Sequence, residues 1–264
     1  MIIDFHTHVF PDAIAKRAID GLIASSGGLF PPYSDGTVQG LIKNMDAWGI
    51  DISVNHPVLT KPTSLESTNR WAKSIESERI ISFAGFHPHT DDFKRDIDFI
   101  ASLGFRGIKM HPEFQNFNVD DGFMLPIYDY ALSKGLILLL HSGFDPSYKP
   151  PYRSTPKMFA RVSKQLQGGT IVAAHLGGQR LCDEVEEHLC GKNVYFDTCM
   201  GFEYYSQEQF TRIVRAHGAD KILFASDSPW SCAKNEIDAI NNTPLTQEEK
   251  DLIFYKNAKR LLGI

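Results

Sequence analysis

The chain has 264 residues, of which 42% are hydrophobic and 22% charged, with a net charge of -5 at neutral pH. That length suits one large domain, a parallel barrel of about 250 residues included, and the acidic balance offers nucleic acid no electrostatic attraction. The longest apolar run, Leu136 to Leu140, is far shorter than the roughly 20 residues a membrane-spanning helix needs, and no basic run suggests a membrane surface.

In chain order, the first strand is IIDFH (2–6). Alternate strand side chains share a face, so Asp4, His6 and His8 are expected on one side, with both imidazoles aimed at one ion. The stretch ASSGGLFPPYSDG (24–36) is too rich in Gly, Pro and Ser for regular structure and predicts a loop. Val38, Leu41, Ile42, Met45 and Trp48 then fall on one helical face. Strands follow at ISVNH (52–56) and ISFAGFH (81–87), and Phe93, Ile97, Ile100 and Leu103 mark the next helix. RGIKMH (106–111) and LILLLH (136–141) are strands, with Gly135 closing the helix between them. Thr155 and Pro156 read as N-cap and first helical position. TIVAAH (170–175), VYFDT (194–198) and ILFASD (222–227) are the last strands, Gly218 ends the helix before the third of these, and Thr246 with Glu249 forms a capping box.

Eight buried strands alternating with helices imply a parallel sheet closed into a (β/α)8 TIM barrel, one domain over residues 1–264. No Gly-x-Gly-x-x-Gly turn follows the first strand, so a dinucleotide-binding open sheet has no support. In a barrel the C-terminal strand ends surround the active-site mouth, and the 24–36 loop should lie over it. Of the 10 histidines, all but His188 and His217 fall at such ends: His6, His8, His56, His87, His89, His111, His141 and His175, joined by Asp227. Some of these rings should bond loop backbone instead of a ligand.

DFHTH on the first strand, LLLHSG on the fifth, VAAHLGG on the sixth and FASDSPW on the eighth, taken in that order, resemble the amidohydrolase superfamily. The nearest likeness is to its amidohydrolase-2 branch, which includes the aminocarboxymuconate semialdehyde decarboxylase type, and it runs from residue 2 to KNAKRLLG (256–263). The resemblance implies one divalent metal, most often zinc, bound by His6, His8, His141 and Asp227, with His175 beside the bound water as a proton shuttle, Asp227 sharing that work, and Asp4 behind the ligands. Binuclear members use a bridging carbamylated lysine or glutamate, for which Lys109 and Glu113 are the local candidates for a second ion. The polymerase and histidinol phosphatase family also opens with Asp-x-His-x-His, but its SDG follows shortly, whereas here SDG lies at 34–36.

The first functional expectation is a metal-dependent hydrolase of an amide, ester or lactone of a small carboxylated molecule. The alternative is a nonoxidative decarboxylase or hydratase of an unsaturated acid at the same metal; a further one, a catalytically inactive binding barrel, is opposed by the complete set of site residues. Arg153 is the candidate carboxylate clamp, with Trp230 and His111 as further substrate contacts. Cys182, Cys190, Cys199 and Cys232 lack Cys-x-x-Cys spacing and no signal peptide precedes MIIDF, so reduced thiols in the cytoplasm are expected. The resemblance points to a homodimer acting on a small molecule.

Overall fold

The computed structural model describes residues 1–166 and 168–264. Strands β1 (Ile3–Thr7), β2 (Ile52–Asn55), β3 (Ile80–Ser82), β4 (Ala84–Gly85), β5 (Gly107–Met110), β6 (Ile137–Leu140), β7 (Ile171–Ala173), β8 (Tyr195–Asp197) and β9 (Ile222–Leu223) alternate with helices. β1 to β3 form one parallel ladder and β4 to β9 another. The third barrel strand is the pair β3 and β4, interrupted at Phe83, whose N–H still donates to the Asn55 carbonyl at 2.9 Å. The other seam is closed by N–H groups of Phe5, Asp227 and His8 donating to the carbonyls of Phe224 (2.9 Å), His6 (2.8 Å) and Ser228 (2.6 Å). The chain is thus the (β/α)8 barrel that the alternating pattern predicts.

Alternation along each strand builds two cores. Leu138 and Leu140 of β6 face the helical layer, while Ile137 and Leu139 pack inward with Ile3, Phe5, Val54, Phe83, Val172 and Leu223. Ala258 and Leu262 of the last helix, Asn257–Leu262, join that inner cluster and plug the barrel floor. Each of the larger side chains there, Leu262 included, stabilises the fold by about 1.5–3 kcal/mol on full burial. That end of the barrel is therefore apolar, and the cavity with its polar groups lies at the opposite end.

Regular pairing stops earlier than the sequence pattern suggests. His56, His111, His141 and His175 lie just past their strands, at the turns into the following segments. The helix caps occur as expected: Thr155 caps Pro156–Gln165, Thr246 and Glu249 form the capping box, and Gly135 and Gly218 follow helix ends at φ of 75° and 104°. Helix Asp12–Ser25 corrects the predicted loop at 24–36, which becomes irregular only from Ser26. Its apolar residues do not show a single stripe because two of its faces are in use: Ala15 and Ile19 are buried on the barrel, and Ile14, Ala18 and Leu22 line a cavity. No helix among the described residues is long and apolar enough to cross a membrane.

Two stability measurements follow from this packing. A Cβ on Gly107 would collide with the Phe83 ring and stand 2.6 Å from the Ile137 carbonyl oxygen. Gly107→Ala should therefore cost about 1–3 kcal/mol in denaturant unfolding; an unchanged midpoint would show that the barrel wall yields there. Glu236, on helix Ala233–Asn241, is buried with Oε2 unpartnered among the described residues, and burial, helped by the Glu203 charge, pushes its carboxyl from 4.5 to about 8. Between those pH values the folded chain holds a proton that the unfolded chain has released, so stability falls as pH rises from 4.5 to 8. Glu236→Gln should raise the melting midpoint by several degrees at about pH 9 and hardly move it at about pH 4; equal shifts at both would exclude the carboxylate as the cause.

Candidate metal centre and its cavity

The register of β1 against β2 shifts between Asp4 and Thr7, as at a β-bulge, which re-aims side chains. Phe5 stays in the inner cluster, yet His6 also turns to the mouth, its Nε2 2.8 Å from Lys109 Nζ. That same Nε2 lies 3.2 Å from His8 Nε2 and 3.6 Å from Asp227 Oδ1, which is 3.1 Å from His8 Nε2. Tetrahedral ligands about 2.1 Å from a zinc ion stand about 3.4 Å apart, so these spacings suit one divalent cation.

Tautomers strengthen the fit. His6 Nδ1 is 2.8 Å from Asp197 Oδ2, and His8 Nδ1 is 2.7 Å from the His56 carbonyl oxygen. Each Nδ1–H must donate to its oxygen, which leaves two Nε2 lone pairs and a carboxylate converging on one point. Such a meeting is repulsive without a cation. The Lys109 ammonium is the positive group the chain itself supplies there, and its burial lowers its pKa. Burial, reinforced by the Lys109 charge, holds His6 and His56 well below the ordinary imidazole range, so His6 is neutral, the form that binds a metal. Burial alone would raise Asp227, but the surrounding polar groups and the Lys109 ammonium outweigh it and hold its carboxyl below the ordinary carboxylate range.

The carboxylate behind His6 is Asp197, which corrects the place expected for Asp4. Asp4 accepts the His6 backbone N–H at 3.3 Å, the Ser226 N–H at 2.9 Å and the Ser226 hydroxyl at 2.6 Å. Asp197 also accepts the His175 backbone N–H at 2.8 Å and the Cys199 thiol at 2.8 Å. His175 and Leu176 take φ of 57° and 53° and Asp227 takes 64°, left-handed conformations that cost non-glycine residues about 1–3 kcal/mol each. Those turns bring both side chains back over the mouth.

His141 is not within the close group of His6, His8 and Asp227. Its Nε2 lies 3.1 Å from the Phe144 carbonyl oxygen, so Nε2–H donates there and the Nδ1 lone pair faces His175 Nε2 at 3.0 Å. The ring stacks on His111 with centroids 4.1 Å apart, and His111 Nε2 is 3.4 Å from Asp145 Oδ2, so His111, His141 and Asp145 form a second cluster.

A cavity of about 630 Å³ opens above these groups. Six of the eight mouth histidines line it: His6, His8, His56, His111, His141 and His175, with Lys109 and Asp227. His87 and His89 do not, which corrects their placement; His89 Nε2–H donates to the Asn116 carbonyl at 3.2 Å. The walls are largely apolar and aromatic, including Phe10, Phe30, Trp71, Phe114, Met200 and Trp230. Arg153 is absent from the lining: Glu113 Oε1 accepts its backbone N–H at 2.7 Å, and Oε2 stands 3.8 Å from its guanidinium. Glu113 is thereby engaged by Arg153. Asp197, Asp145 and Cys199 were missed by sequence reasoning, although Asp197 carries the same signal as Asp227, an acid at the C-terminal end of a barrel strand.

No curated protein matches the chain in sequence. Among solved structures it is similar to an uncharacterised TIM-barrel protein of Bordetella bronchiseptica, at 19% identity and TM-score 0.76, covering 99% of this chain and 98% of that one. It is also similar to 5-carboxyvanillate decarboxylase of Sphingomonas paucimobilis (16% identity, TM-score 0.68, 100% and 99% covered). A third likeness is to the Novosphingobium aromaticivorans 5-carboxyvanillate decarboxylase complexed with manganese and 4-hydroxy-3-methoxy-5-nitrobenzoic acid (15%, 0.73, 100% and 96%). At these identities the structures show the shared barrel alone. The family assignment comes from sequence: the amidohydrolase family model matches residues 3–264, the stretch that carries both the barrel and the His6–His8–Asp227 group, and the chain belongs to that family.

Proposed function

We propose that this protein is a metal-dependent, nonoxidative decarboxylase of an aromatic or unsaturated carboxylic acid. The observation that carries the reading is the convergence of the His6 and His8 lone pairs and the Asp227 carboxylate at the floor of an apolar, aromatic-walled cavity. His6, His8 and Asp227 would hold one divalent ion, and a set of imidazoles plus one carboxylate suits zinc. The ion supplies Lewis acidity toward the oxygens of the bound acid. Trp71, Phe114 and Trp230 seat the ring and exclude water from its carboxylate, which favours departure of the charged group as neutral carbon dioxide. As the carbon–carbon bond breaks, its electron pair stays on the ring carbon. His175, whose Nδ1–H donates to the Cys199 carbonyl at 3.2 Å, delivers a proton to that carbon from Nε2 as the imidazolium and is left neutral, so one carboxylate and one proton become one C–H bond and carbon dioxide. Asp197, tied to the His175 backbone and to the His6 ring, keeps donor and floor in register.

The decarboxylases among the structural neighbours, one of them holding manganese, support this choice over the hydrolysis expected first from sequence. Amide, ester or lactone hydrolysis would use the same donors but release no carbon dioxide. Incubating metal-loaded protein with hydroxybenzoates, conjugated acids, lactones and small amides therefore separates the two: carbon dioxide should appear with an acid of the first two classes, and turnover of a lactone or amide alone would replace decarboxylation with hydrolysis.

Metal content checks the floor independently of substrate. Elemental analysis should find about one divalent ion per chain, His8→Ala should lose most of it, and His188→Ala, whose ring is partly exposed on the turn Val185–Leu189, should lose none. Two ions per chain would overturn the single-ion site and point to the His111, His141 and Asp145 cluster.

Proton delivery is checked at His175. His175→Asn should keep nearly normal metal while turnover falls by a factor on the order of 100 to 10,000 and its pH profile changes. A variant purified metal-free, under conditions that leave the wild type loaded, would make His175 a ligand instead.

A further inference from the structure

Helix Asp12–Ser25 presents one continuous face to the cavity: Ile14, Arg17, Ala18, Gly21 and Leu22, at helical spacings of three and four residues, all line it. Arg17 is the sole charged residue of that stripe. Both Lys16 and Arg17 are exposed, but Lys16 donates to Asp20 at 2.6 Å, whereas the Arg17 guanidinium, at the cavity rim, has no hydrogen-bond or ion-pair partner among the described residues. Gly21 is a second anomaly. A mid-helix glycine costs about 1 kcal/mol relative to alanine, and a Cβ there would meet nothing within 4 Å, so no protein contact requires it.

We infer that this stripe is the outer half of the substrate site: Arg17 pairs with a second anionic group, such as a carboxylate, on a ring whose first carboxylate lies over His6, His8 and Asp227. Gly21 leaves room for the ring between the two. The inference rests on the decarboxylase reading for where the first carboxylate sits. A guanidinium fork matches a carboxylate with two parallel hydrogen bonds, and Arg153 is already engaged by Glu113. The preferred substrates are then ring acids with two anionic substituents, one at the floor and one at the rim.

Binding tests this without turnover. Metal-loaded protein is titrated with benzoate, isophthalate and terephthalate, read by quenching of Trp71 and Trp230, both of which line the cavity. At least one dicarboxylate should bind about tenfold tighter than benzoate, a difference of about 1.4 kcal/mol. Arg17→Met should remove that advantage while changing benzoate affinity less than about twofold. Gly21→Ala should raise the melting midpoint and yet weaken the favoured dicarboxylate. Dicarboxylates that bind no tighter than benzoate to the wild type, or equal weakening of all three acids by Arg17→Met, overturn the inference. The carbon dioxide assay is separate: no release, with the Arg17-dependent preference intact, removes the decarboxylase reading and leaves Arg17 as the anion-binding residue.

Discussion

The backbone hydrogen bonds that join the first strand to the last are the contact on which this molecule depends. Through them Asp227 donates to His6 and His8 donates to Ser228, so residues from opposite ends of the chain share one edge of the mouth. Closing so long a loop adds little extra entropy cost, because that cost grows only logarithmically with length. What must be supplied is a partner for every backbone group at the seam, and the parallel ladder supplies it. The same seam fixes Asp227 in a left-handed conformation that an isolated segment would avoid.

Once the seam is closed, electrostatics at the mouth follow from burial. Burial makes His6 and His141 lose their protons more readily, and each ring at the mouth has one nitrogen donating to a fixed oxygen: Asp197 for His6, the His56 carbonyl for His8, the Phe144 carbonyl for His141. Their remaining lone pairs face inward. An array of buried lone pairs and carboxylates is stable only with positive charge among it, which Lys109 provides in part and a bound ion would provide fully. Asp197 is the hub of this arrangement, because it holds the His6 ring, the His175 backbone and the Cys199 thiol at once.

The cavity has two chemically distinct ends. Barrel strands build the floor, where rigid backbone sets donor positions to within a fraction of an ångström. The outer wall comes from helix Asp12–Ser25 and the irregular segment after it, which carry Arg17 and Phe30. Floors of this kind determine what chemistry can occur, and outer walls determine which molecule undergoes it.

The sequence alone determined the barrel and most of the histidines at its mouth. Apolar runs of strand length separated by helical spacing leave few other folds, and histidines at the ends of those runs had to meet at one mouth, as His6, His8, His111, His141 and His175 do. Helix signals that act locally, such as Thr155 with Pro156 or Thr246 with Glu249, were legible because their hydrogen bonds span only a few residues. Tertiary structure decided the rest. The bulge in β1, which depends on pairing with β2, left Asp4 on the His6 backbone and Ser226, and gave the His6 ring to Asp197 from β8. Glu113, not the cavity, claimed Arg153, and helix Asp12–Ser25 put Arg17 at the rim. Period and composition report what one segment prefers, but which carboxylate meets which imidazole or guanidinium depends on the spacing between segments, and only the closed barrel sets that.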